Sequence, residues 1–241
     1  MGLFWLTVWQ LCYYAIGRDL LLASPASTFI RIYELLKTLQ FWQIILSSFL
    51  RIMAGFLLGL VIGTALAVIT ARWDIMLKLI QFPMSIIKAT PVASFVILAL
   101  IWISGRKLST FIAFLMVLPM IWSSVHEGIK GADPLLLEAA KTFRLSPVQK
   151  VKAVYIPAVM PHLLSVSRVA MGFAWKSGIA GEVIAIPKNT IGSMLYDAKV
   201  YLETTDLFAW TAVIVILSVL IEKLFAKLME KGAKKWGGAY E

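Results

Sequence analysis

Apolar positions in this chain fall in long runs separated by short polar breaks, without the strict alternation of a half-buried strand. The first run covers residues 3–16. At helical rise it reaches only about 21 Å, short of a hydrocarbon core about 30 Å thick. It therefore either thins the bilayer or continues a chain that starts further upstream. Ser24 and Pro25 then open a stretch in which Phe29, Ile32, Leu35, Leu36 and Leu39 keep helical spacing, with Arg31, Glu34 and Lys37 off that face. That pattern predicts a helix lying in the membrane interface. Further spans are predicted over about 49–71, 86–105, 108–125, 158–184 and 205–226. The segment 52–71 holds no charge, Pro119 interrupts 108–125, and 158–184 differs in carrying Arg168 and Lys176. The expected fold is all-α: one polytopic membrane domain over 1–241 with about six transmembrane helices.

Composition agrees with this pattern. Of 241 residues, 60% are hydrophobic and 15% charged, whereas soluble domains carry about 25% charged residues. With a mean hydropathy of +0.85, the chain is neither a disordered regulator nor a soluble enzyme. Its net charge of +10 comes from basic residues scattered between apolar runs, which argues for membrane orientation and against a nucleic-acid partner. With the N-terminus inside, Arg72, Lys78, Lys130, Lys141, Arg144, Lys150, Lys152 and the tail lysines Lys223, Lys227, Lys231, Lys234 and Lys235 are cytoplasmic. They outnumber Arg18, Arg31, Lys37, Arg51, Arg106, Lys107, Lys188 and Lys199 on the outer side. Both termini are therefore expected in the cytoplasm. The single Cys12 cannot form an internal disulfide, and nothing at the N-terminus reads as a removable signal.

The polar segment 126–157 is long for a connection and carries two helix starts. Asp133 followed by Pro134 is an N-cap with proline at the first helical position. Ser146, Pro147 and Gln149 give a second start, with the elements of a capping box. The second helix is expected to run to Pro157. Such a pair cannot by itself bury Leu136, Leu137, Phe143 and Val151. It either folds back on the ends of its own spans or presents a docking knob to a cytosolic partner.

Glu138-Ala139-Ala140, followed by Ser146, Val151, Val154 and Ile156-Pro157, resembles the EAA motif of permease subunits of binding-protein-dependent ABC importers. The family's glycine falls at Arg144, a departure that predicts a turn built differently between the two helices. Arg51 with Gly55, Gly59 and Gly63, Ala89-Thr90-Pro91, Gly172 through Ile184, and Ile191-Gly192 are similar to the nitrate/sulfonate/taurine type. The resemblance covers roughly residues 24–223. It implies a type I importer permease fold in a prokaryotic plasma (inner) membrane, with no cofactor. It also implies separate ABC ATPase subunits, an extracytoplasmic substrate-binding protein and a second permease copy, as a homodimer. The loop would be the coupling helix, with Glu138, Ala139, Ala140, Phe143, Arg144 and Ser146 meeting the ATPase. No G-x-x-x-x-G-K-[ST] phosphate loop is present, so ATP hydrolysis is not expected on this chain.

Charges at membrane depth cost at least about 2.5–3.5 kcal/mol on insertion scales and point to function. On a helical wheel Lys176 lies about 80° to one side of Arg168 and Glu182 about 40° to the other. One broad stripe along a translocation path for a small organic or inorganic anion such as a sulfonate could hold all three. Alternatively Arg168 and Glu182 snorkel to opposite interfaces and only Lys176 is deep. Gly55, Gly59 and Gly63 share a face that suits close packing, within the chain or at a dimer seam. His126 and His162 are isolated and predict no metal site. A self-sufficient secondary transporter is the alternative function; it would need carboxylates deep in several spans. A membrane-embedded enzyme would need a cluster of acid, base or metal residues at one interface.

Overall fold

The computed structural model describes residues 2–236, with side chains through residue 229. Lys231, Lys234 and Lys235 of the orientation argument thus lie outside the described side chains. Every regular element among the described residues is helical. Helix α1 (Gly2–Ile16) is the short first run. It is anchored by Trp9, whose indole N–H donates to the Ala23 carbonyl at 3.0 Å and whose ring stacks on Phe208. Helix α2 (Pro25–Leu36) starts at the Ser24 N-cap, whose hydroxyl accepts from the Ser27 N–H. Ile32 and Leu35 pack on the core, while Phe29 and Leu36 are exposed, so only part of the expected apolar face is used inward.

Helices α3 (Leu39–Arg72), α6 (Gly105–Lys130), α9 (Ile156–Ala185) and α11 (Thr204–Trp236) are the long elements. Over the described side chains, α3, α6, the continuous segment Pro147–Ala185 and Thr204–Met229 are each long and apolar enough to cross a bilayer. The expected span 86–105 is not one straight helix. It is split between α4 (Asp74–Ala89) and α5 (Val92–Ala99), bent by 105°. Pro91 lies at the break: it has no N–H to continue α4 and pushes Thr90 into extended geometry, ψ 131.

Helix α6 is the centre of the bundle, packed between α3 and α9. The three glycines of α3 make the first of these contacts close. A Cβ on Gly59 would stand 2.7 Å from Cγ1 of Val117, and one on Gly63 would stand 3.0 Å from Cβ of Ile121. Gly55 faces Ala113 in the same way, with 2.8 Å to its Cβ. Of the two readings open to the sequence, the glycine face is an intrachain seam. Helix α11 is tied to α2 by Arg31, whose guanidinium donates to Asp206 at 2.5 and 2.9 Å. The hydrogen bond to Asp206, then that to Glu34, holds the Arg31 proton more firmly than in an ordinary guanidinium.

Candidate coupling surface and translocation face

Between α6 and α9 the chain forms α7 (Pro134–Thr142) and α8 (Pro147–Lys150). Both starts are built as their residues predict. The Asp133 carboxylate accepts from Leu135 N–H at 2.8 Å. Ser146 and Gln149 close a capping box, the Ser146 N–H donating to Gln149 Oε1 at 2.8 Å. The turn between them corrects the expectation drawn from Arg144. Arg144 adopts φ 51, the left-handed conformation that the family's glycine would take. Leu145 N–H donates to the Ala140 carbonyl and Arg144 N–H to that of Lys141, both at 3.0 Å. This is a Schellman ending, and the two hydrogen bonds offset the steric strain of a side chain at that position.

The second helix does not stop at Pro157. It passes through a π-helical turn (Val151–Tyr155) directly into α9. Pro157 has no N–H and its ring crowds the carbonyl four residues earlier. The widened turn lies where that carbonyl belongs, with Ile156 N–H donating to Val151. From Pro147 onward the segment is therefore continuous with the fifth predicted span.

The pair has a small core of its own. Ala132, Ala140 and Val154 are buried, with Leu137, Leu145 and Tyr155 against them. Other apolar side chains are uncovered: Leu135 is 73% and Phe143 77% exposed, and Leu136 and Val148 are exposed as well. Glu138 and Arg144 are exposed, and Ala139 is half-buried beside the buried Ala140. Neither sequence reading holds alone: one side of the pair folds back on the span ends and the other side is uncovered.

The structure separates the three ionisable residues of α9. Lys176 is exposed from the bundle on a face with Ser165, Val169, Phe173 and Ala180. It lies about 13 Å along the axis from the helix end at Ala185, near mid-depth of a 30 Å core. Arg168, also exposed, is about 26 Å from that end and so reaches the opposite interface. Glu182 does not share their face. It is 0% exposed, and its Oε2 accepts from Ser48 Oγ at 2.8 Å and from Gly192 N–H at 3.3 Å. Ser48 Oγ in turn accepts from Ile191 N–H at 3.0 Å. Glu182 and Ser48 thus cap, from α9 and α3, the start of helix α10 (Ile191–Val200). Gly192 is needed for this approach, since a Cβ there would lie 2.5 Å from the Glu182 carbonyl carbon. Sequence reasoning missed Ser48 altogether; the nearest signal was the Ile191-Gly192 pair.

His126 sits in a local hydrogen-bond network, and His162 is exposed. His126 shares a hydrogen bond with Thr70 at 3.0 Å, and the Trp122 N–H donates to the same hydroxyl. Among the described residues no three His, Cys, Asp or Glu side chains gather as a metal site would require.

With this geometry in hand, known proteins give a consistent answer. Residues 59–235 match the family described as "Binding-protein-dependent transport system inner membrane component". A Bacillus subtilis (strain 168) protein named as an aliphatic sulfonates transport permease, SsuC, is 25% identical over 223 residues, 91% of this chain and 79% of its own. The taurine transport system permease protein TauC of Escherichia coli (strain K12) is 26% identical over 202 residues, covering 82% and 71%. A crystal structure of an amino acid ABC transporter superposes with TM-score 0.64 at 15% identity, over 81% of this chain and 94% of that one, and so shares the fold. Long apolar helices around α6, a helix pair projecting between two of them, and a match through most of the chain lead to one conclusion: this is a multi-pass membrane protein and transport permease of the binding-protein-dependent inner membrane component family.

Proposed function

We propose that the chain forms the translocation path of an ABC importer for a small anion such as a sulfonate. Its α7–α8 pair docks on a separate ATPase subunit, and both termini are cytoplasmic. Two copies of the chain, two ATPase subunits and an extracytoplasmic binding protein make up the working assembly. The observation that carries this reading is the uncovered side of the helix pair. Phe143, Leu135 and Leu136 project on a short rigid element whose own core is already filled by Ala140 and Val154. An apolar surface on such a knob needs a partner. Because α8 runs through the π turn into α9, a push on the pair is delivered to the span that carries Lys176.

A small anion is favoured by Lys176. An ammonium at mid-depth is tolerated only where water, a partner subunit or a counter-charge meets it. Relatives named for sulfonates, taurine and bicarbonate are each named for a solute that carries an anionic group. Arg168, near the opposite interface, would extend the positive route. Glu182, held by Ser48 and Gly192, would shape the path from behind by fixing α10 against the bundle.

The test is co-purification of the ATPase subunit with the full chain in detergent. Phe143→Asp should lower its retention at least about tenfold, the scale of a lost interface anchor, while the chain stays folded and inserted. Retention unchanged both in Phe143→Asp and after deletion of 133–147 would refute docking through this pair.

A further inference from the structure

A cavity of about 440 Å³ opens between α3, α6, the π turn and α9, within the size range of about 300–1,000 Å³ typical of ligand sites. Val68 and Arg72 on α3, Ile129 on α6, Val151 and Tyr155 of the π turn, and Val159 on α9 are among its lining. No Asp or Glu lines it among the described residues. Arg72 is the last residue of α3, exposed, and forms no hydrogen bond or ion pair with any described residue. Exposed Trp73 follows it, as expected where a span leaves the hydrocarbon. The site therefore has an apolar body and a cationic mouth at a membrane interface. Its inner wall is the turn that joins the helix pair to α9.

We infer that this cavity holds an anionic phospholipid, with acyl chain between α3 and α9 and phosphate on Arg72, and that its occupancy steadies the π turn. Net charge selects the lipid: in a zwitterionic headgroup the choline cation offsets the phosphate that Arg72 meets, while a basic side chain near a net-anionic headgroup gains about fivefold in affinity. The consequence for coupling follows from continuity. A filled cavity packs against Val151 and Tyr155, so motion of α7–α8 passes to α9 without being absorbed by deformation of the widened turn. That consequence rests on the coupling reading above; lipid binding itself does not.

The experiment uses the full chain in detergent micelles, titrated with dioleoylphosphatidylglycerol or dioleoylphosphatidylcholine, with retained lipid counted by native mass spectrometry. Phosphatidylglycerol should be retained about fivefold more than phosphatidylcholine. Arg72→Gln should remove the preference, and Arg106→Gln, far from the cavity, should preserve it. Val159→Trp should exclude both lipids, and Val68→Trp, at an exposed position less prone to misfolding, provides the same block. Hydrogen exchange across residues 151–156 should slow with phosphatidylglycerol and not in the Arg72→Gln chain. Equal retention of the two lipids, or a preference that survives Arg72→Gln, overturns the site. So does a loss of dimer mass in Val68→Trp, because the cavity would then seat the second copy. Lipid retention without slowed exchange overturns the effect on the turn. None of these readings depends on ATPase docking, so failure there and failure here are distinguishable.

Discussion

Arg144→Gly should tighten the turn between α7 and α8. Arg144 stands at φ 51, where a side chain costs roughly 1–2 kcal/mol. Glycine removes that strain but gives the unfolded segment more freedom, a loss of about 0.5–1 kcal/mol. The net gain is about 0.5–1 kcal/mol, which is about two- to fivefold in the local opening equilibrium. Hydrogen exchange on the full chain in detergent reads this directly, because the amides of Arg144 and Leu145 both donate within the Schellman ending. Their exchange should slow about two- to fivefold in Arg144→Gly. Arg144→Ala keeps the Cβ and the strain, so it should show no comparable slowing. If the glycine variant exchanged as fast as the parent, or alanine slowed exchange equally, the left-handed turn would be refuted.

Two other substitutions probe the seams. Gly59→Leu should force α3 from α6 at Val117, where a mere Cβ would already stand 2.7 Å away, and cost about 1–3 kcal/mol or more in thermal unfolding; an unchanged midpoint with loss of dimer would place this glycine face between copies instead. Glu182→Ala leaves the Gly192 N–H and the Ser48 hydroxyl without their acceptor, costing about 1–3 kcal/mol for each buried group and speeding exchange at 191–194. Glu182→Gln retains an acceptor and should lie much closer to the parent; equal losses in the two variants would mean that charge, and not capping, holds α10.

How far the sequence could be read depends on the distance over which each decision is made. The caps at Asp133 and Ser146 are local, so a few residues specify them. The apolar length of α3 is local too, and so is the small-residue face that packs on α6. Arg144 misled because the residue gave no sign that two backbone hydrogen bonds would hold it in a conformation suited to glycine. Pro91 sat inside an apolar run that reads as a single span, so the break there went unread, and Pro157 read as a stop although a π turn absorbs it. Glu182 was legible as costly but not as buried. A helical wheel gives angles within α9, whereas the face that packs is decided by Ser48 on α3 and Gly192 at the start of α10.

The central claim is that anions cross along the α9 face bearing Lys176, driven through the helix pair. ATP-dependent uptake of a labelled alkanesulfonate into proteoliposomes carrying the chain, its ATPase and its binding protein tests it most directly. Lys176→Met should lower uptake at least about tenfold, the order of a lost charged contact, with ATPase retention unchanged, and Lys176→Arg should restore much of it. Full uptake by Lys176→Met, at the parent's rate and with the parent's ATP dependence, would contradict the account.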